Sequence, residues 1–230
     1  MSDKTDRVAP SEQDLREANS WYGKRDYWRS ENLKYSRPHY RMEKAASVVR
    51  RLAAGKEQDL LDIGCGPAAL MPLLPSTIRY FGIDIAIHNP APYLIETDFL
   101  EEPIGFGGQE FDIAVAQGVF EYVGSFQSEK LAEIRALLRD GGRFLVSYVN
   151  FGHRRRKIYD NYNNIRPINE FGHALTEFFV IDAAFPVAHN WKHSEPRRRL
   201  LRNLQMNLNV NMPGISPRLA VEYFFLCSPR

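Results

Sequence analysis

The sequence predicts an α/β fold, a doubly wound and mostly parallel sheet, and three stretches carry that prediction. DLLDI, residues 59–63, is an apolar run of strand length that stops at Gly64-Cys65-Gly66. RYFGIDI, residues 79–85, and EFDIAVA, residues 110–116, are built the same way, each meeting polar residues at its C-terminal end. Apolar runs of this length, bounded by turn residues, are what strands buried on both faces look like. Stretches of helical period precede and follow them, and that alternation sets the class.

The glycine turn is the centre of the functional reading. Glycine lets the chain turn tightly and lets a backbone approach a ligand closely, so Gly64, Cys65 and Gly66 are expected to touch a cofactor. A short helix, confined by Pro72 and Pro75, is expected next, with its free N–H groups and positive dipole end aimed at the ligand. The spacing Gly64-x-Gly66-x-x-Ala69 also fits a dinucleotide turn, which makes a nicotinamide-dependent oxidoreductase one rival. Asp62, two residues before the first glycine, argues against it: a pyrophosphate would be repelled there and an ammonium attracted. Asp84, followed by Ile85 at the end of the next strand, is suited to both hydroxyls of a ribose. YLIETD ends in Asp98 beside Phe99, suited to the amino edge and face of an adenine. Amine, ribose and adenine in that order describe S-adenosylmethionine better than a nicotinamide dinucleotide.

The order LLDIGCGPA, GIDI, ETDFLEEP, FDIAVAQGVFEYVG and LRDGGRFLVSYV resembles class I S-adenosylmethionine-dependent methyltransferases. The likeness runs over residues 45–150 and a final strand, and five motifs in order make it specific. It implies a Rossmann-like seven-stranded sheet with an antiparallel last strand, S-adenosylmethionine as cofactor, and methyl transfer by in-line displacement to a small-molecule oxygen or nitrogen. Gln117 and Gly118 then belong near the methionine part of the cofactor. Glu121 and Tyr122 fall where the family often reads Glu-His, which makes them catalytic candidates, with Tyr122 in the histidine place. A more local likeness, Asn150-Phe151-Gly152-His153, is similar to MetW-type proteins. It implies a second reading, a partner-dependent or non-catalytic protein associating with another enzyme.

Taken in order, residues 1–40 form a polar tail and an aromatic cap, and residues 41–230 the methyltransferase domain. Residues 20–40 are dense in aromatics and read as a lid or a hydrophobic anchor, with Tyr22, Tyr35 and His39 as its polar, substrate-facing members. In residues 41–54 Met42, Ala45, Ala46, Val49, Leu52 and Ala53 make one apolar stripe, a helix capped by Gly55. Residues 86–92 hold two prolines and are too few for a crossover helix between the second and third strands. The third strand is therefore expected to be short or irregular. The uncovered sheet face is assigned to the aromatic segment or to a second subunit, so a homodimer or a partner enzyme is an expectation. A helix capped by Ser125 or Ser128 runs to Asp140, and residues 142–149 are the fifth strand. Asn150 and His153 sit just past it, where His153 is placed to act as a base or substrate contact. Residues 167–179 read as a helix and 180–188 as a strand ending at His189 and Trp191, substrate-lining candidates. A helix over residues 195–210 and a last strand over 220–227 complete the chain, with substrate-side elements at 150–175 and 189–215.

Composition narrows the classes. With 44% hydrophobic residues, 14 Phe and 11 Tyr in 230 residues, the chain is long enough for one sizeable core. No run approaches the ~18 apolar residues of a membrane span, and the first residues lack a signal peptide's apolar region. Two cysteines, Cys65 and Cys227, give no disulfide framework, which favours a reduced, cytoplasmic setting. Residues 1–149 carry 18 Lys+Arg against 22 Asp+Glu, and residues 150–230 carry 12 against 6. The basic second half reads as a solvated face; it lacks the interleaved aromatics of an RNA platform, so a nucleic-acid substrate ranks last. His189 and His193 have no third ligand nearby, and no metal is expected.

Overall fold

The computed structural model describes residues 40–87, 89–99, 102–121, 123, 126–150, 167–190, 205–206 and 220–230. One mixed sheet carries the fold. Its strands are β1 (Gln58–Ile63), β2 (Ile78–Asp84), β3 (Leu94–Glu96), β4 (Phe111–Ala116), β5 (Leu138–Val149), β6 (Phe179–Asn190), β7 (Gln205–Met206) and β8 (Ala220–Pro229). They lie in the order β3-β2-β1-β4-β5-β8-β6-β7. The first five are parallel, while β8 runs antiparallel between β5 and β6. The expected seven-stranded, doubly wound sheet is present, extended by two-residue β7 at the β6 edge.

Alternation along β1 divides the core in two. Leu60 belongs to one cluster, with Ala45, Ala46 and Val49 of α1 (Tyr40–Ala53). Leu61 and Ile63 belong to the other, with residues of α2 (Gln127–Leu137) and α3 (Ile168–Phe178). All three β1 residues are fully buried, each contributing about 1.5–3 kcal/mol. Phe171 of α3 stacks on Tyr148 of β5 with ring centroids 4.0 Å apart, which docks the helix on the sheet. The stripe predicted for residues 41–54 is the buried face of α1, and Ala54 (φ 47°) and Gly55 (φ 79°) end it in left-handed conformations.

Both connections around β3 lack an α-helix among the described residues, and β3 itself has three residues. The β2–β3 loop covers its own side of the sheet: Ile87 and Tyr93 pack on that core, with Tyr93 edge-on to Tyr80 at 6.3 Å. On the opposite side Phe106, from the β3–β4 connection, packs edge-on against Phe81 and Phe111. The aromatic segment assigned to that gap lies outside the described residues.

Three expectations are corrected. No α-helix follows the glycine turn; residues 66–70 form turns with Ala68 at φ 55°, followed by a 3-10 turn at Met71–Leu73. Pro67 and Pro72 withhold N–H donors, so a helix dipole does not act at this corner. The helix expected to reach Asp140 stops at Leu137, and Ser128 lies inside it rather than capping it. Leu138 and Arg139 are extended, with Leu138 paired to Phe111 of β4 and Arg139 bonded to Asp59 and Asp112. Within the stretch read as a helix over 195–210, Gln205 and Met206 pair instead with Asn190 and His189.

The ion-pair network at the N-terminal end of β1 fixes that end of the sheet. Fully buried Asp59 accepts both Arg79 and Arg139, while Asp112 Oδ2 accepts Arg139 (2.6 Å) and the Asp59 N–H (2.8 Å). Burial pushes the Asp59 carboxyl up, but the bonds and charges of the two guanidiniums outweigh it and hold the group below its ordinary value. Its contribution to stability is therefore complete above about pH 4 and fades as pH falls through the lowered value. We expect Asp59→Ala to cost about 2 kcal/mol in urea unfolding at pH 7, and the difference from the parent protein to shrink in acid.

Candidate active site

Strands β1, β2 and β4 end at one edge of the sheet, and β8 begins there, with Glu222 opposite Val149 of β5. Ligands of open α/β sheets bind beyond this edge. The glycine turn lies across it, with Gly64 and Gly66 at φ 71° and 52°. The N–H groups of Gly64 and Cys65 both reach the Ile83 carbonyl, at 2.9 and 3.0 Å. Gly66 donates to Asp84 Oδ2 (2.7 Å), and Ala86 donates to Asp84 Oδ1 (3.2 Å). A Cβ on Gly64 would stand 2.4 Å from Val119, so the turn tolerates nothing larger. Cys65 is buried against Gly82, and burial raises its thiol far out of the reactive range.

Asp62 is buried beneath the turn, where the Tyr80 hydroxyl donates to its Oδ2 at 2.7 Å. Burial pushes its carboxyl up to about 7; the Tyr80 bond and the charge of Arg41 pull down, and Asp84 pushes up. Asp98 and Phe99 follow β3 and are half-buried. Asp98 accepts the Glu102 N–H on its backbone carbonyl, and Phe99 packs edge-on to Phe120 with the Lys130 ammonium over its ring at 5.3 Å. Half-buried Ile85 stands at the mouth of the β2–β3 loop.

Gln117 and Gly118 leave the end of β4. Gly118 (φ 69°) donates to Ser147 Oγ at 3.0 Å, and a Cβ there would stand 2.9 Å from an Arg41 guanidinium nitrogen. The buried Gln117 Oε1 has no hydrogen-bond partner among the described residues. Arg41, in the first turn of α1, pairs with buried Glu222 at 2.9 Å. Lys44, one turn later, is also buried and donates to the Val187 carbonyl; burial lowers its ammonium and the Glu222 charge partly restores it. Glu121 is buried beside them. Its Oε1 accepts the Val149 N–H at 3.0 Å, its Oε2 has no partner among the described residues, and burial pushes it up to about 7.

The structure thus brings Asp62, the glycine turn, Asp84, Gln117, Gly118 and Glu121 to one edge. Asn150 lies there too, donating to the Ala220 carbonyl at 2.9 Å. The backbone of His189 pairs with Met206 and Ala220. Tyr22, Tyr35, His39, Tyr122, His153 and Trp191 lie outside the described residues. Sequence reasoning missed three members of the site: Arg41, Tyr80 and Glu222. Each had a signal: a base in a helix's first turn, where acids are favoured, and a polar residue in each of two apolar strands. Among the described residues no group of three side chains could hold a metal ion, and no helix is long and apolar enough to cross a membrane.

A family described as "Methyltransferase domain" matches residues 38–183, more than half of the chain. Among curated proteins no sequence matches. The fold is similar to that of a TehB-like SAM-dependent methyltransferase from Corynebacterium glutamicum (15% identity, TM-score 0.53, 95% of this chain and 98% of that one). It is also similar to the N-methyltransferase NodS from Bradyrhizobium japonicum in complex with S-adenosyl-L-homocysteine (13%, TM-score 0.55, 93% and 97%). A third is the 1,6-didemethyltoxoflavin-N1-methyltransferase of Burkholderia thailandensis (17%, TM-score 0.55, 95% and 87%). At these identities the likeness establishes the fold. With the family match, the motif order and this sheet taken together, the chain belongs to the methyltransferase domain family, as a class I S-adenosylmethionine-dependent methyltransferase.

Proposed function

We propose that this enzyme methylates a small-molecule acceptor bound beside the ends of β4 and β5. The observation that carries the reading is the pair of carboxylates at the glycine turn, buried Asp62 and turn-bracing Asp84. A pyrophosphate bridging that corner would face two negative groups, whereas an amino acid ammonium and a ribose suit them. This sets the nicotinamide reading aside. The residues fit S-adenosylmethionine: Asp62 for the ammonium, Asp84 for the ribose hydroxyls, and Asp98 with Phe99 for the adenine. Arg41, at Gly118, is placed for the methionine carboxylate, and the orphaned Gln117 Oε1 supplies a further acceptor at that end. Bound there, the cofactor supplies a sulfonium methyl that is already activated.

The chain's own task is then positioning. It must hold the acceptor atom in line with the methyl carbon, exclude water, and take a proton where the acceptor carries one. Glu121, Tyr122 and His153 are the candidates for that proton, and Tyr22, Tyr35, His39, Asn150, His189 and Trp191 the candidates for acceptor contact. Asp62, Asp84, Glu121 and Glu222 gather carboxylates on this edge, which disfavours a polyanionic nucleic-acid substrate. The MetW-type alternative is answered by the same titration that tests the cofactor site, together with any partner that co-purifies at equal stoichiometry.

Calorimetric titration with S-adenosylhomocysteine is expected to give one-to-one binding, and NADH none. Asp84→Asn should weaken that binding at least ~10-fold, about 1.4 kcal/mol; unchanged affinity would remove the ribose assignment. The same titration should depend on pH. Asp62 must be ionised to receive an ammonium and holds its proton up to about 7. Affinity should therefore fall as pH drops below that value, by up to ~10-fold per unit. Tyr80→Phe removes a bond that favours the carboxylate, so it should move the midpoint upward. A pH-independent affinity would show that Asp62 does not bind the amine.

A further inference from the structure

The acceptor's chemical class follows from which polar atoms at the site are already committed. Asp62 holds the Tyr80 hydroxyl, Asp84 braces two backbone N–H groups, and Glu222 holds Arg41. Lys44 is turned toward the Val187 and Pro186 carbonyls of β6. Glu121 differs from these. Only 3% of it is exposed, one oxygen is anchored to the β5 end by the Val149 N–H, and the other has no hydrogen-bond partner among the described residues. A buried carboxyl oxygen left without a partner costs free energy that a donor would recover. Val149 is the register partner of Glu222, so Glu121 is anchored at the end of β5 beside the start of β8.

The geometry points to a basic amine as the methyl acceptor, with Glu121 Oε2 receiving the acceptor's N–H. The inference rests on the methyl-transfer reading above. Asp84 acts on buried Asp62 and Glu222 on buried Glu121, with Arg41 the cation that acts on both, so an acceptor carboxylate or phosphate would add like charge. An amine enters as a cation and is drawn in. It gives a proton to Glu121 Oε2, and the freed lone pair on nitrogen forms the N–C bond. The S–C bond breaks with its electron pair remaining on sulfur, and S-adenosylhomocysteine leaves as a neutral thioether beside an N-methylated ammonium. Glu121 then releases its proton to solvent. Burial pushes this carboxyl up to about 7, which suits a group that takes and returns a proton at neutral pH.

The test uses the full chain and three pools matched in carbon skeleton: primary and secondary amines, phenols, and carboxylic acids. Methyl transfer from labelled S-adenosylmethionine is read in each pool, and thermal stabilisation of the S-adenosylhomocysteine complex by the same compounds is read separately. Glu121→Gln keeps an acceptor oxygen for Val149, and its S-adenosylhomocysteine affinity reports that it is folded. We expect transfer only in the amine pool, stabilisation by those amines, and loss of both in Glu121→Gln, with turnover down at least 100-fold. Transfer to phenols or carboxylic acids would overturn the inference. So would no transfer to any pool by protein that binds S-adenosylhomocysteine, or undiminished turnover in Glu121→Gln. Failure of the parent protein to bind S-adenosylhomocysteine would instead overturn the cofactor assignment beneath it.

Discussion

The grip of Asp84 on the glycine turn is the interaction on which the site depends. In many α/β proteins a helix leaving such a turn holds it rigid from the far side. Here no α-helix leaves it, because proline and the left-handed Ala68 interrupt the backbone. Among the described residues the turn's N–H groups are taken by its neighbour strand: Ile83 takes two on its carbonyl, and Asp84 takes a third on its carboxylate. The side chain assigned to ribose is therefore also a structural brace, and cofactor recognition and turn geometry share one group.

The two ends of the parallel strands treat charge in opposite ways. At the N-terminal end of β1 the buried carboxylate of Asp59 is matched by Arg79 and Arg139, both partly exposed, and the network keeps it ionised. At the C-terminal end Asp62 and Glu121 are buried with less compensation, and both hold their protons up to about 7. Unrelieved desolvation of this kind destabilises the folded chain and is characteristic of sites that bind or react. The compensated end anchors the sheet, and the less compensated end is where the candidate site lies.

Much of this was legible in residue order. Asp62, Gly64, Gly66 and Asp84 could be placed because a strand ending in a turn fixes where its last side chains go, whatever the rest of the sheet does. The α1 stripe was legible because a period of 3.6 survives any tertiary context. The end of α2 was not, since Leu138 and Arg139 have ordinary helical propensity, and their extended-state partners Phe111, Asp59 and Asp112 are distant in sequence. Arg41 and Glu222 each carried a local signal as an unusual residue, but that they pair with each other was not legible. Their pairing spans 181 positions, and neither residue's local sequence announces the other. Local signals marked the glycine turn and its flanking carboxylates, while the Arg41–Glu222 pair is made by a long-range contact.

The location of β8 has a consequence for how the enzyme comes into being. This strand follows β6 and β7 in the chain yet is inserted between β5 and β6, so the sheet stays divided until it docks. Glu222 arrives with it, and so does the register that sets Glu222 opposite Val149. Residues 58–96 can pair early through short connections, since closing small loops costs little entropy. The charge balance around Arg41 cannot exist until the β8 segment has been made and inserted. The glycine turn is thus braced by a strand close to it in sequence, whereas the Arg41–Glu222 pair requires closure of the whole sheet.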